Sequence, residues 1–489
     1  MTRSRIARRT FLADAGMGFT GLALGALLRE DGYGANPEPA QADGWAHIPP
    51  KATSVIWIFL AGGVSHMESF DIKPALNKYA GKTYDETPFK DFLDKERIEK
   101  NLVGQGMSIP PRKELMALNT GYRKYGQCGL EVGDWFSHIG ECADELAVVR
   151  SLWTVHPNHG MQLTWHTGMH VRDGTQPTIG SWASYGLGSL NQQLPKFIVM
   201  GNSIGGCCGG EFGHGASYLG PQHAGVKLST DPKNSLQFVK PHGSGVTAGE
   251  QAAELKLIGQ LNRAAGIEYP DDPDLRARIR SYELAAGMQT AVPELMQIDR
   301  EPEYTRQMYG IDKEHSRPFG TQCLVARRMI EMGVRFVQLY HGAGSAGTWD
   351  AHSDIKRKYD IETPKVDQPI AGLLKDLKQR GLLDSTLVVF GTEFGRTPGA
   401  QPSGGPAAPG RDHHPQAFTC WLAGGGIKGG VTHGVTDELG FYTVNDPHYL
   451  TDIHATVLHQ LGLDSYRLEV PGRKRLDLHR GRPITEIIA

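Results

Sequence analysis

The sequence predicts an α/β protein with a mostly parallel sheet sandwiched by helices, and three observations predict it. Short apolar runs recur along the chain, amphipathic helical stretches separate several of them, and the segments that follow the runs are unusually polar. Strands that alternate with helices pair in parallel and are covered on both faces. Folds of this class place their chemistry beyond the carboxyl ends of the strands. The 489 residues, 39% hydrophobic and 21% charged, suit one large α/β domain or two or three smaller ones, and they exclude disorder and a collagen-like chain.

The chain opens with Arg3, Arg5, Arg8 and Arg9, then a glycine-rich apolar run over 17–28 and a looser polar stretch ending in Ala40-Gln41-Ala42. That is the layout of a signal peptide. The run is too short to span the roughly 30 Å hydrocarbon layer, and no later stretch is long and apolar enough to do so. Arg8-Arg9-Thr10-Phe11-Leu12 resembles the twin-arginine export signal, whose substrates typically fold before export, often around a cofactor. We therefore expect a twin-arginine signal peptide over 1–42, no stable membrane anchor, and an exported, periplasmic or extracellular domain over 43–489. A net charge of -2 gives no global attraction to nucleic acid or anionic lipid, so no nucleic-acid partner is expected.

After a proline-rich lead, Ser54 to Leu60 is a continuous apolar run ending at Gly62-Gly63, as a strand buried on both faces would be. Further strands are expected at 146–152, 197–200, 334–340, 387–390 and 418–422. Helices are expected at 319–332 and 369–380, where apolar residues fall at helical spacing and cationic side chains lie near the carboxyl end. The interval 205–317 is poor in strand signal and reads as a helical insertion or lid, with one or two amphipathic helices over 249–289. The Pro/Gly/Ala stretch at 399–410 reads as a loop.

The six cysteines show no CxxC spacing, which excludes a zinc ribbon. Cys128 with Cys142 is the pair best suited to a disulfide. Adjacent Cys207 and Cys208, inside a run of glycines, read either as a strained vicinal disulfide or as two small residues in a loop.

Histidine is the informative excess, with 20 residues, many in clusters at strand ends. In Trp349-Asp350-Ala351-His352 a carboxylate and an imidazole two residues apart on extended chain point the same way and reach one cation; a helix-capping Asp beside a solvated His is the alternative. In Gly391-Thr-Glu393-Phe-Gly-Arg396 the Glu is a hard oxygen ligand and the Arg a fork for an anionic oxygen; a salt bridge in a turn is the alternative. Arg411-Asp412-His413-His414-Pro415 offers neighbouring imidazoles that cannot easily share one metal, so one ligates and the other faces elsewhere. His156, His159, His166 and His170 form a fourth cluster.

The segments 366–395 and 451–463 resemble the late helix–strand unit and the last core helix of sulfatases. Phe59-Leu-Ala-Gly-Gly-Val-Ser-His66, Ser69-Phe-Asp71, Trp349-Asp-Ala-His352 and His413-His414-Pro415, with the twin-arginine leader, resemble the sulfatase-like domain-of-unknown-function family 1501 of the alkaline-phosphatase superfamily. The resemblance implies an alkaline-phosphatase/sulfatase-like fold and a divalent metal; two imidazoles with one or two carboxylates favour zinc or manganese over calcium or magnesium. It implies Asp350, His352, Glu393, His414 and His66 as metal ligands, and Arg396, Asn158 and His159 as catalytic residues, Arg396 stabilising developing negative charge. The sequence departs from the superfamily at three places. Ala61-Gly62-Gly63 replaces the Asp after the first strand, leaving His66, Glu68 or Asp71 as substitutes; Asn158 occupies the nucleophile slot, where an amide cannot attack; and Phe394 stands where a metal-binding His would be.

The implied function is an exported metal-dependent hydrolase of sulfate or phosphate esters that uses metal-activated water, with an anionic ester or sulfated glycan as substrate and the twin-arginine export machinery as partner. The alternative is a non-catalytic ligand- or partner-binding protein on a decayed sulfatase-like fold.

Overall fold

The computed structural model describes residues 46–90, 114–191, 193–231, 248–268, 284–285, 287–289, 291–342, 346–401, 408–470, 472 and 481–489. The signal peptide expected at 1–42 lies outside them. Nine strands among the described residues form the central sheet. They are β1 (Ser54–Leu60), β2 (Leu146–Trp153), β3 (Phe197–Met200), β4 (Val226–Lys227), β5 (Phe336–His341), β6 (Thr386–Gly391) and, after a separate hairpin of β7 (Gly395–Gln401) and β8 (Gly410–His414), β9 (Phe418–Ala423), β10 (Val431–His433) and β11 (His448–Tyr449).

The spatial order is β10-β2-β9-β6-β1-β5-β3-β4, with β11 also beside β2. β1 lies between β5 and β6, parallel to both, and β3 and β4 continue the parallel side. β9 runs against β2 and β6, while β10 and β11 pair parallel with β2. The sheet is thus parallel throughout except at β9.

All seven residues of β1 are buried because the strand has helices on both sides. Ile56, Ile58 and Leu60 face one core and Val55, Trp57 and Phe59 the other, the period of two that a pleated strand imposes. The first core is closed by α4 (Arg317–Glu331) and α5 (Ile355–Gln379), through Leu324, Ile370 and Leu373 among others. The second is closed by α1 (Met161–Thr167), α2 (Ile179–Leu187) and α6 (Thr451–Gln460). Each fully buried Val, Leu, Ile or Phe contributes about 1.5–3 kcal/mol.

Three expectations are corrected. The helix expected at 369–380 starts much earlier, at Ile355, capped by the Asp354 side chain, and carries Pro364 and Pro369 inside it. Pro369 reads from sequence as a first-turn residue, which hid the preceding turns. The interval 205–317 is not wholly outside the sheet, since β4 adds its edge strand; within it, α3 (Ala248–Glu268) leaves Leu257 and Leu261 exposed rather than burying them as an amphipathic face. Cys128 and Cys142 are unbridged: the first thiol points to the Tyr125 carbonyl and the second to those of His138 and Ala371. No helix among the described residues is long and apolar enough to cross a membrane.

Candidate functional site

The site gathers at the carboxyl ends of β1, β5 and β6. β1 runs into Gly62, whose backbone sits at φ +127° directly under the loop that follows β5. A β-carbon at Gly62 would stand 2.4 Å from the Asp350 amide nitrogen and 2.7 Å from the Trp349 carbonyl carbon. No side chain fits there, so the close passage of this loop requires glycine at position 62. The Gly62 N–H donates to both carboxylate oxygens of Glu393, at 2.9 and 3.0 Å.

Asp350, His352 and His413 converge. Asp350 Oδ1 is 3.1 Å from His352 Nε2 and 3.0 Å from His413 Nε2, and the two imidazole nitrogens are 3.0 Å apart. The outer ring nitrogens fix the tautomers. His413 Nδ1 is 2.7 Å from the Pro157 carbonyl and must donate to it; His352 Nδ1 lies against Gln401 Oε1 and 3.5 Å from Asp412 Oδ1, both acceptors. With Nδ1–H committed, a neutral His413 ring turns its Nε2 lone pair towards the carboxylate oxygen that His352 Nε2 also faces. Burial, beside Arg396 and His159, pulls His413 down to about 4 despite Asp350, so it is neutral near pH 7. Two imidazole nitrogens and a carboxylate oxygen thus meet within 3.1 Å of one another, a donor set that suits a cation. A tetrahedral shell with ligands at ~2.0–2.1 Å puts its ligand atoms about 3.3 Å apart, close to the separations here. Burial raises the proton affinity of Asp350, but the hydrogen bond from His159 and the Arg396 charge hold the carboxyl far below its usual range.

His159, just before α1, stands beside this cluster with Nε2 3.4 Å from Asp350 Oδ2 and Nδ1 3.1 Å from Glu393 Oε1. Burial opposes its charge, yet hydrogen bonds to the two carboxylates outweigh that and push it up to about 9. Gln162, on α1, donates to the same Glu393 oxygen at 3.2 Å. Phe394 is fully buried and walls both imidazoles, its ring 4.3 Å from that of His413 and 5.5 Å from that of His159. His352, with 30% of its side chain exposed, is the wettest member and marks the open side.

The remaining expected residues lie elsewhere or act otherwise. Arg396 touches Asp350 Oδ1 at 2.8 Å, but its guanidinium is fully buried and also donates to the carbonyls of Gly62, Gly63, Arg411 and Trp349. It positions the loops around Asp350 rather than offering a fork to an anionic oxygen. Glu393, fully buried, is committed to Gly62, His159, Gln162 and Thr392, and serves as counter-charge to His159. Asn158 is turned away, its carboxamide oxygen accepting from the Gly160 N–H and facing His170 Nε2 at 3.2 Å.

His66 and His414 do not join the cluster. Their Nε2 atoms donate to consecutive carbonyls, Gly440 and Phe441, and both rings are fully buried. Burial lowers the proton affinity of both, His414 to about 3. Glu68 and Asp71 are likewise engaged, the first with Arg411 at 2.7 Å, the second with Lys73 at 3.0 Å. The sequence points to the Arg411 to His414 cluster but favours His414 over His413, and it does not single out Gln401 or Gln162. The hairpin register sets His413 opposite Arg396 and His414 opposite Gly395.

A family model described as "Protein of unknown function (DUF1501)" matches residues 52–488. No curated protein matches the chain. Among solved structures, a sulfatase from Pseudoalteromonas sp. is similar with a TM-score of 0.35 at 12% identity, over 92% of this chain and 72% of that one. A phosphonate monoester hydrolase from Silicibacter pomeroyi has the same score and identity over 72% and 71%. The lipoteichoic acid synthase LtaP from Listeria monocytogenes scores 0.35 at 8% identity over 91% and 78%.

Proposed function

The chain belongs to the protein family DUF1501, and from that premise we propose that it is an exported, metal-dependent hydrolase of sulfate or phosphate esters. The observation that carries this reading is the meeting of Asp350 Oδ1, His352 Nε2 and His413 Nε2 at 3.0 to 3.1 Å. Two imidazoles and a carboxylate suit zinc or manganese better than magnesium, which prefers an all-oxygen shell and keeps its waters. When bound, such a cation supplies Lewis acidity towards an ester oxygen and towards water.

The chain's own residues do the rest. Asp350, His352 and His413 hold the cation, and the Pro157 carbonyl and Gln401 orient the two imidazoles, as outer partners of metal-binding histidines do. Arg396 fixes Asp350 against the Gly62-Gly63 turn. His159, kept protonated by Asp350 and Glu393, is placed to give its proton to the departing alcohol oxygen. Asn158 supplies no nucleophile, so water attacks, entering from the His352 side.

Metal content of protein purified along its native export route, with hydrolysis of 4-nitrophenyl sulfate and 4-nitrophenyl phosphate before and after chelation, tests the reading. Bound metal and hydrolysis should be lost together on chelation and in His352→Ala. Stoichiometric metal retained in His352→Ala would rule out the shell. A second reading, a non-catalytic binding protein, draws on Asn158 and on a neighbouring cavity of about 300 Å³ lined in part by Trp153, His156, His170 and Tyr449. Metal bound without hydrolysis of either ester would favour it.

A further inference from the structure

Cys207 and Cys208 lie in Gly205-Gly206-Cys207-Cys208-Gly209-Gly210, two thiols between two pairs of glycines. Gly206 to Cys208 form one 3-10 turn. The chain leaves it through Gly209 at φ +111° and Gly210 at φ +53°, conformations that only glycine takes readily. A β-carbon at Gly206 or Gly210 would meet nothing within 4 Å, so both flanks of the turn are open to an approaching molecule. Side chains of adjacent residues on extended chain point to opposite faces. Here the turn brings the two Sγ atoms to 3.2 Å. Cys207 is exposed, whereas Cys208 is 2% exposed.

We propose that Cys207 and Cys208 are a redox-active pair that closes into a vicinal disulfide by exchange with a disulfide-bearing small molecule or oxidoreductase. The exposed Cys207 attacks first, as its thiolate, on one sulfur of the donor disulfide. That S–S bond breaks, a mixed disulfide forms on Cys207, and the first departing thiolate takes up a proton. Cys208 then gives its proton to solvent and attacks the Cys207 sulfur, expelling the second donor thiolate, which is protonated in turn. Two protein thiols are oxidised and one donor disulfide is reduced to two thiols.

The asymmetry of the pair supports this order. Burial, with Cys207 and Glu393 beside it, holds the Cys208 thiol well above its ordinary range, so it resolves the mixed disulfide rather than opening the exchange. The geometry of the product makes the bridge labile. Adjacent Cα atoms are about 3.8 Å apart across a trans peptide, short of the ~4.4–6.8 Å that a relaxed disulfide spans. A strained bridge has a more oxidising potential and is cleaved readily, unlike a structural one. The turn also leans on α1, where a β-carbon at Gly209 would lie 3.1 Å from the Leu163 side chain.

The test uses the mature chain equilibrated in graded mixtures of reduced and oxidised glutathione, quenched with iodoacetamide in denaturant, and read by intact mass and peptide mapping. Alkylated thiols should fall from six to four as the mixture becomes oxidising, with the loss mapped to Cys207 and Cys208 and reversed at the reducing end. The reduced chain should also capture one phenylarsine oxide, and Cys207→Ser should abolish that capture. Six alkylated thiols at the most oxidising ratio, a persistent glutathione adduct on Cys207 without closure, or a bridge to Cys128 would each overturn the proposal.

Discussion

His413 and His414 are chain neighbours that serve different parts of the fold: His413 Nε2 is 3.0 Å from Asp350 Oδ1, whereas His414 Nε2 hydrogen-bonds the Phe441 carbonyl. Their substitutions should therefore separate. His413→Ala removes one of the three atoms that converge, and metal content should fall below about a tenth of the wild-type value. His414→Ala should keep its metal but unfold more easily, because a buried carbonyl is left unpaired at a cost of about 1–3 kcal/mol. Metal analysis and thermal unfolding of the two variants decide this; metal lost from His414→Ala and kept by His413→Ala would reverse the assignment.

How far the sequence reaches can be argued from these residues. β1 was legible to its ends, because a strand covered on both faces has no polar position to blur its run. Asp350 and His352 were legible as a pair because two residues along extended chain share a side. Arg396 was misread because a guanidinium signals an anion, and only burial reveals that backbone carbonyls take its donors. The choice between His413 and His414 was not legible. The strand is irregular between Arg411 and His413, which breaks the alternation that parity reasoning needs. The partners of His66 and His414 are main-chain oxygens of a distant loop, which leave no side-chain signature.

Glu68 and Arg411 form an ion pair with both side chains fully buried, and Arg411 also donates to the carbonyls of Thr397, Pro398, Met116 and Ala117. The pair ties the segment after β1 to β8, which carries His413. Glu68→Gln leaves a buried guanidinium without its counter-charge and should destabilise the protein by about 3–5 kcal/mol. Asp350, His352 and His413, the proposed ligands, are not touched, so denaturant unfolding should shift while metal per folded molecule stays at the wild-type value. An unchanged unfolding midpoint would show that the pair carries no stability.

Export should depend on the paired arginines. Arg8→Lys with Arg9→Lys removes the feature that marks the twin-arginine signal while keeping both charges. The precursor of that variant should stay in the cytoplasm, and mature wild-type protein should lack its first 42 residues. Fractionation and amino-terminal sequencing check both; unchanged export of the variant would remove the twin-arginine reading.

His159 gives the pH dependence. An imidazole pushed up to about 9 in the fold, from an ordinary 6.5, binds its proton more tightly folded than unfolded. The stability it contributes is therefore complete below about pH 6.5 and lost as the pH rises towards 9. Metal-free protein should show a falling melting temperature across that window, and His159→Gln, which cannot titrate, should flatten the profile. As a proton donor rather than a ligand, His159 should be dispensable for the cation, so His159→Gln keeps its metal while ester hydrolysis drops by about 100-fold or more. With the proposed cation bound, its positive charge would repel the His159 proton, which should move the alkaline limb of any hydrolysis profile below 9. Loss of metal in His159→Gln would make His159 a ligand, and a pH profile unchanged by the substitution would remove it from proton transfer.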